Sequence, residues 1–473
     1  MQKSHKSVAI GLIGFLALGG SVGAQNIDKV KKMTAEQAAI LVQRPGPLSL
    51  GSLASISEET AKALSQLTGP LSLGGLTSLS PDAAKALTEV KGDLSIAGLT
   101  TLSAETAAAL AQHPGPLLLD GVAALSEDTA KALARHTGML SLDGLPTLSD
   151  EAAVALAPFE GALFLGGLTT LTPTVAQALA VHSGSLFLSG LPAIPEEAAK
   201  AIAQLKGPLF LTGLATLSTE EAKALAAFEG PLFLSGQTKL SPDAAGALSQ
   251  LKGGVLLVNS LSTLSDEATK ALVQLKGPRF LSGLPILSDP AITALAKLKG
   301  PLFLSGASTL PGESVNALQQ MNGGVLFLSS LTALSKESVA ALAEFKGPLF
   351  LSGLTTLAPE AAESLAHFKG PLFLNGLTTL SAETAKSLRE FRGPLILSSL
   401  DTLSDEAAAA IGLMKGPLFL NGLSTLSPAA AKSLARHSGT VALLGLAELS
   451  SDALLFLSGN PQVRLPEDLN VRN

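Results

Sequence analysis

Residues 207–229 read GPLFLTGLATLSTEEAKALAAFE, and Gly230 opens the same phrase again. In Pro208–Thr212 the apolar groups alternate. Leu209 and Leu211 point one way and Phe210 and Thr212 the other, which is the period of a short strand. Gly213 turns the chain, and Leu214 and Leu217 return apolar groups to the interior. Ser218 is a helix N-cap, with Glu220 and Glu221 in the first turn, where the helix dipole favours acids. Ala222, Ala224, Leu225 and Phe228 continue the helix, and Gly230 suits a left-handed C-terminal cap. Other units place Pro at the first helical position, as in Ser80-Pro81-Asp82 and Ser427-Pro428. Lys206, Lys252, Lys276 and Lys299 stand just before a Gly, where a helix C-terminus favours cations.

This phrase fills most of the 473 residues. Its opening Gly recurs 18 times from Gly46 to Gly439, with fifteen spacings of 23 residues and two of 24. The two long units contain Gly253-Gly254-Val255 and Gly323-Gly324-Val325, where one extra residue before the strand predicts a bulge. One strand–turn–helix unit cannot bury its Leu face alone, whereas a stack can. Strands of a parallel sheet stand ~4.8 Å apart, and packed helices ~8–10 Å apart. The helix layer is therefore the longer one. The expected fold is α/β: a curved solenoid of about 18 repeats, with a single parallel sheet on the concave face and one helix per repeat on the convex face. Pairs such as Glu58/Lys62 and Glu196/Lys200 fit a solvated helix surface.

The pattern Leu209-x-Leu211-x-x-Leu214, repeated as Leu349-x-Leu351-x-x-Leu354, resembles that of leucine-rich-repeat proteins, particularly secreted bacterial ones with 23-residue units. The resemblance covers Gly46 to Leu457 and implies a binding or scaffold role. The common pattern has Asn where Leu214 and Leu354 stand, so the usual Asn ladder is missing. The turn Gly and the following Thr355 and Thr356 are the expected substitutes.

The ends differ from the repeats. Lys3, His5 and Lys6, the apolar stretch Val8–Leu18 and Val22-Gly23-Ala24 read as a signal peptide over 1–24, cleaved near Ala24. The mature protein is then secreted, periplasmic or held in the cell envelope, with no transmembrane segment. Residues 25–45 form an N-terminal helical cap and 46–457 the solenoid. Leu455-Phe456-Leu457 reads as a last strand, and 458–473 as a polar C-terminal tail.

Composition excludes much chemistry. There is no Cys, Trp or Tyr, charged residues make up 15%, and the net charge is −6. Thiolate metal sites are excluded, and no clustered basic residues suit nucleic acid. No nucleophile elbow, phosphate loop or zinc motif occurs. The reading is of a non-enzyme with no catalytic residues, no cofactor and no metal.

Three features stand out. The outward strand position is Ser49, Ser72, Ser95, Leu118 and Ser141 at first. It then becomes Phe164, Phe187, Phe210, Phe233, Leu257, Phe280, Phe303, Phe327, Phe350, Phe373, Ile396 and Phe419, and ends with Ala442 and Phe456. This Phe column is either a binding face or a stack of rings that stabilises neighbouring strands. The abrupt change from Ser to Phe favours an interface, because a purely structural need applies to every repeat. Beside it runs a polar column of Asp120, Asp143, Ser189, Thr212, Ser235, Asn259, Ser282, Asn375 and Asn421, expected as solvated turn residues. Asp120 and Asp143, one strand spacing apart, are the one carboxylate pair suited to glycoside hydrolysis or a Ca²⁺ half-site. Finally, His113, His136, His182 and His437 share a position that is apolar elsewhere and read as structural, with His367 exposed. The leading expectation is an exported scaffold that binds a protein partner through the Phe face. The alternative is a structural or self-assembling envelope protein whose Phe faces pair between copies.

Overall fold

The computed structural model describes residues 30–472, except 44–45, 238, 254, 259, 276–278, 282–287, 298–300, 305, 309, 311–316 and 319–323. The signal segment and Ala24 lie outside the described residues, as do Asn259, Ser282, Lys276 and Lys299. The chain forms two compact units, one ending at Leu165 and the other beginning at Gly166. Both are α/β solenoids with a parallel sheet and one helix per repeat, built from the same rung.

In the first unit the strands Leu48–Ser49, Leu71–Ser72, Leu94–Ser95, Leu117–Leu118, Leu140–Ser141 and Leu163–Phe164 pair in parallel. The register is fixed at 23 residues, as in Leu48↔Leu71 and Leu140↔Leu163. Each strand donates two backbone hydrogen bonds to the next, for example Leu71 N–H to Asp93 O at 2.8 Å and Leu73 N–H to Ser95 O at 2.8 Å. The second unit continues this pattern from Leu186–Phe187 through Leu418–Phe419, Val441–Ala442 and Val463–Arg464.

The 24-residue spacing leaves the register intact. Leu232 faces Leu256, and the extra length is taken up before Val255, where Lys252 N–H and Gly253 N–H bond back to Ala226 O and Phe228 O. The residues on which the two bulges would centre, Gly254 and Gly323, lie outside the described set.

Most helices have seven residues, about two turns, too short to stand alone in water. Capping and packing hold them. Ser80 Oγ accepts the Ala83 N–H at 3.2 Å before helix Pro81–Leu87, and Ser218 with Glu221 forms a full capping box before Thr219–Leu225. In several repeats a buried hydroxyl ties the helix to the previous one. Thr106 and Thr129 donate to Leu79 O and Leu102 O, and Thr384 donates to Leu357 O at 2.8 Å. The core lies between the layers. Leu71, Leu73 and Leu76 come from strand and turn, and Ala83, Ala84 and Leu87 from the helix, all at most 1% exposed. The pairs Lys62–Glu58 and Lys200–Glu196 lie on the solvated side, as expected.

Several expectations need correction. Helices stop earlier than the sequence suggests: Thr219–Leu225 ends at Leu225, and Phe228 N–H bonds to Leu225 O in a tighter turn. Lys206 therefore lies four residues past helix Glu196–Ile202 and not in its last turn. The recurrent Gly is not a left-handed cap either, since Gly46 (φ +111°) is the sole positive-φ residue among those described. Its need is space. A Cβ on Gly138 would stand 2.6 Å from Gly115 O, and one on Gly370 2.5 Å from Gly347 O.

The missing Asn ladder is replaced by backbone. Thr77 N–H donates to Ala54 O at 3.1 Å, and Asp401 N–H to Thr378 O at 3.1 Å, each one repeat back. Thr355 and Thr356 are exposed.

The C-terminus also differs. Leu455–Leu457 belongs to helix Ser451–Ser458, not to a strand. The last rung is Val463–Arg464, paired with Val441–Ala442, and Asn470–Arg472 pairs in parallel with Glu448–Ser450. The stretch read as a polar tail is thus partly sheet. Asn460 holds its start by donating to Ala435 O and His437 O, both at 2.9 Å.

Candidate functional site

The short strands fix the Phe column. Most strands are two residues long, so one side chain per rung projects from the sheet away from the helices, between two core positions that are mostly Leu. Phe164, Phe187, Phe210, Phe233, Phe303, Phe327, Phe350, Phe373 and Phe419 all occupy this place and are half-buried. Phe280 is paired in register with Leu257 and Phe303; its side chain is outside the described set. Phe456 is helical and does not belong to the column; its ring lies 5.5 Å from Lys432 Nζ.

The rings stack on one another. In the second unit Phe187, Phe210 and Phe233 form one run, with centroids 4.0 Å apart and planes 13° apart at both steps. Phe303, Phe327, Phe350 and Phe373 form another, with centroids at 4.1, 4.2 and 3.8 Å. Identical side chains on a straight ladder would repeat at the strand spacing of ~4.8 Å. The rings therefore lean together more closely than their strands are spaced, with 10–18° between their planes.

Stacking and an open face are therefore both present. Ring faces are used by neighbouring rings, and ring edges remain at the surface. The flanking columns are half-exposed and uncharged, with Pro208, Pro348, Pro371 and Pro417 on one side and Thr212, Ser352, Asn375 and Asn421 on the other. In these three columns no ionisable residue occurs from Ser185 to Leu444. That uncharged border is written in the sequence at the two positions that flank each Phe. A second set of Phe residues, Phe159, Phe228, Phe345, Phe368 and Phe391, lies in the core.

The polar column does more than meet solvent. Asn375 Oδ1 accepts the Ser398 N–H at 3.2 Å and Asn421 Oδ1 the Leu444 N–H at 3.1 Å, each the same position one repeat later. Asp120 does likewise with Asp143 N–H at 3.3 Å, and also accepts from Ser141 Oγ at 2.5 Å. Asp120 is thus held by repeat-to-repeat bonds, which suits a structural link more than general acid–base chemistry. Among the described residues no cluster of three or more His, Asp or Glu is placed to hold a metal ion.

The histidine column is buried: His113, His136, His182 and His437 are at most 2% exposed, while His367 is exposed. Nδ1 of His113, His136 and His437 faces Thr88 O, Ala111 O and Gly412 O, 25 residues earlier, at 3.3–3.4 Å. These carbonyls belong to the residues ending the previous helices. Burial holds His113 and His136 below the ordinary imidazole value of 6.5. The neutral form is therefore the folded form. Its contribution is complete above the unfolded value and is lost as pH falls below ~6.5 toward the lowered folded value, by at most about 1.4 kcal/mol per pH unit for each residue. Urea midpoints should fall on acidification from neutral pH. The variant His113→Phe/His136→Phe, which installs the residue used at 159 and 228, should show a shallower fall. An equal slope in both proteins would refute this account.

No family model matches the sequence, and no curated protein does. Solved structures show likeness of fold. A leucine-rich-repeat protein of Leptospira interrogans, LIC12759, is 19% identical over 94% of both chains, with a TM-score of 0.37. TLR13 in complex with a single-stranded RNA is 17% identical, covers 91% of this chain and 65% of its own, and has a TM-score of 0.44. An internalin, InlF, of Listeria monocytogenes is 14% identical over 81% of this chain and 93% of its own, with a TM-score of 0.31.

Proposed function

We propose that this chain is an exported, non-enzymatic scaffold that holds a protein partner against the Phe-lined face of its sheet. The observation that carries the reading is a band of stacked, half-buried rings flanked by uncharged columns. Interior rings have no free face, so ligands that need one, such as sugars or cations, are poorly served. What remains is a smooth apolar strip of ring edges, suited to an uncharged protein surface. The rings converge at 3.8–4.2 Å, as they would on the inner side of a curve, which favours a convex partner over face-to-face pairing of two copies. Export rests on the N-terminal segment 1–24 as read from sequence, and the absence of catalysis on the structural use of Asp120.

The test compares the protein with a Phe210→Ser/Phe350→Ser variant, each immobilised and exposed to the same envelope extract. Both should fold, by circular dichroism, and have the same mass by light scattering. The unsubstituted protein should retain a partner that the variant does not, and raised salt should not release it, because no charge pairing is involved. Equal retention by both would remove the Phe face as the site. A mass that falls in the variant would favour self-assembly instead.

A further inference from the structure

One repeat of the second unit departs from the pattern in two independent ways, and the ring stack breaks at its border with the next. Gln237 stands at the turn position filled by Leu214, Leu261 and Leu354 in other repeats. It is 0% exposed, and neither its Oε1 nor its Nε2 has a hydrogen-bond partner. A buried amide without partners keeps the full cost of leaving water. Gly246 stands inside helix Pro242–Leu248, where Lys200, Lys223 and Lys270 stand in other repeats. A Cβ there would meet nothing within 4 Å, so no close approach requires glycine, and its effect is to weaken a two-turn helix. At the border with the following repeat the ring stack breaks. Phe233 is paired with Leu257, and the described rings resume at Phe303.

Solenoid stability is a sum of repeat and nearest-neighbour contributions, so these deficits fall on one repeat and its two interfaces. We propose that repeat 230–252 is a hinge built into the second unit. It opens ahead of its neighbours and lets the run Phe187–Phe233 change its angle to the run Phe303–Phe373. An orphaned amide and a helical glycine each raise the population of the open repeat about five- to tenfold. The joint divides the Phe face into two segments that can adjust to one surface. It does not depend on what that surface belongs to.

Hydrogen exchange read by mass spectrometry on the full chain tests the hinge. Amides of 232–252 should exchange at least ~10-fold faster than those of the equivalent stretch 349–369. Gln237→Leu/Gly246→Ala should slow them to the level of that stretch. The reciprocal variant Leu214→Gln/Lys223→Gly should carry fast exchange into 209–229. Equal protection of 232–252 and 349–369 in the unsubstituted protein would overturn the proposal, as would a Gln237→Leu/Gly246→Ala variant with unchanged exchange. Should that variant not fold, the unsubstituted comparison and the reciprocal variant decide. Partner retention is measured separately, so a rigid 230–252 and an inert Phe face are distinguishable results.

Discussion

Gly370→Ala is expected to unfold the repeats around it. The added Cβ would stand 2.5 Å from Gly347 O and 2.8 Å from Phe368 Cζ. The oxygen belongs to the backbone of the preceding repeat and cannot turn aside. The strand immediately after Gly370 donates Leu372 N–H to Pro394 O and accepts Leu349 N–H at Pro371 O, so displacing it breaks rungs on both sides. Overpacking ordinarily costs ~1–3 kcal/mol, and a backbone collision in a two-residue strand lies at or above the top of that range. The same change at Gly246, where nothing stands within 4 Å, should instead stabilise by ~1 kcal/mol. Urea unfolding followed by circular dichroism separates the two. Similar midpoints for Gly370→Ala and Gly246→Ala would show that close approach is not why glycine recurs.

The second large effect belongs to the inner Phe set. Phe159 is 0% exposed and stacks with His136 at 6.3 Å. Phe159→Ala should cost ~3–5 kcal/mol, through lost burial and the cavity left behind. Phe159→Leu should cost much less, because Leu67 and Leu205 fill the same position and are 1% exposed. In a solenoid such a loss need not unfold the whole chain. Hydrogen exchange should show it first in helix Asp150–Leu156 and the strand Leu163–Phe164. Loss of protection spread evenly over all repeats, or an Ala variant as stable as the Leu variant, would contradict this.

Phe159 and Phe164 also show how far the site could be read. They lie five residues apart, and alternation assigned Phe164 to the outer face from sequence alone. Whether its column served as an interface or as a stack stayed open, because both readings require the same residues at the same spacing. Ring separations of 3.8–4.2 Å show that the rings stack while their edges stay at the surface. The polar column was harder. Asn375 and Ser398 are 23 residues apart, and nothing local announces that one caps the backbone of the other. At the C-terminus, Leu455-Phe456-Leu457 has the apolar content of a strand, but the Ser450 cap and the preceding strand Glu448–Ser450 start a helix there.

The period, the strand–turn–helix unit, the parallel stacking, the helix starts and the outward place of the Phe column are all legible in the residues alone. These follow from local alternation, capping chemistry and a repeat that cannot bury its own Leu face. Tertiary structure decided what the recurring glycines are for, how the turn does without Asn, where the helices end and how the chain closes after Ser458. Most of these turn on contacts between residues one repeat apart, where carbonyl meets Cα or side chain meets backbone, and the helix ends on a tight local turn such as Phe228 N–H to Leu225 O. A one-dimensional reading gives the spacing of such contacts but not their distance.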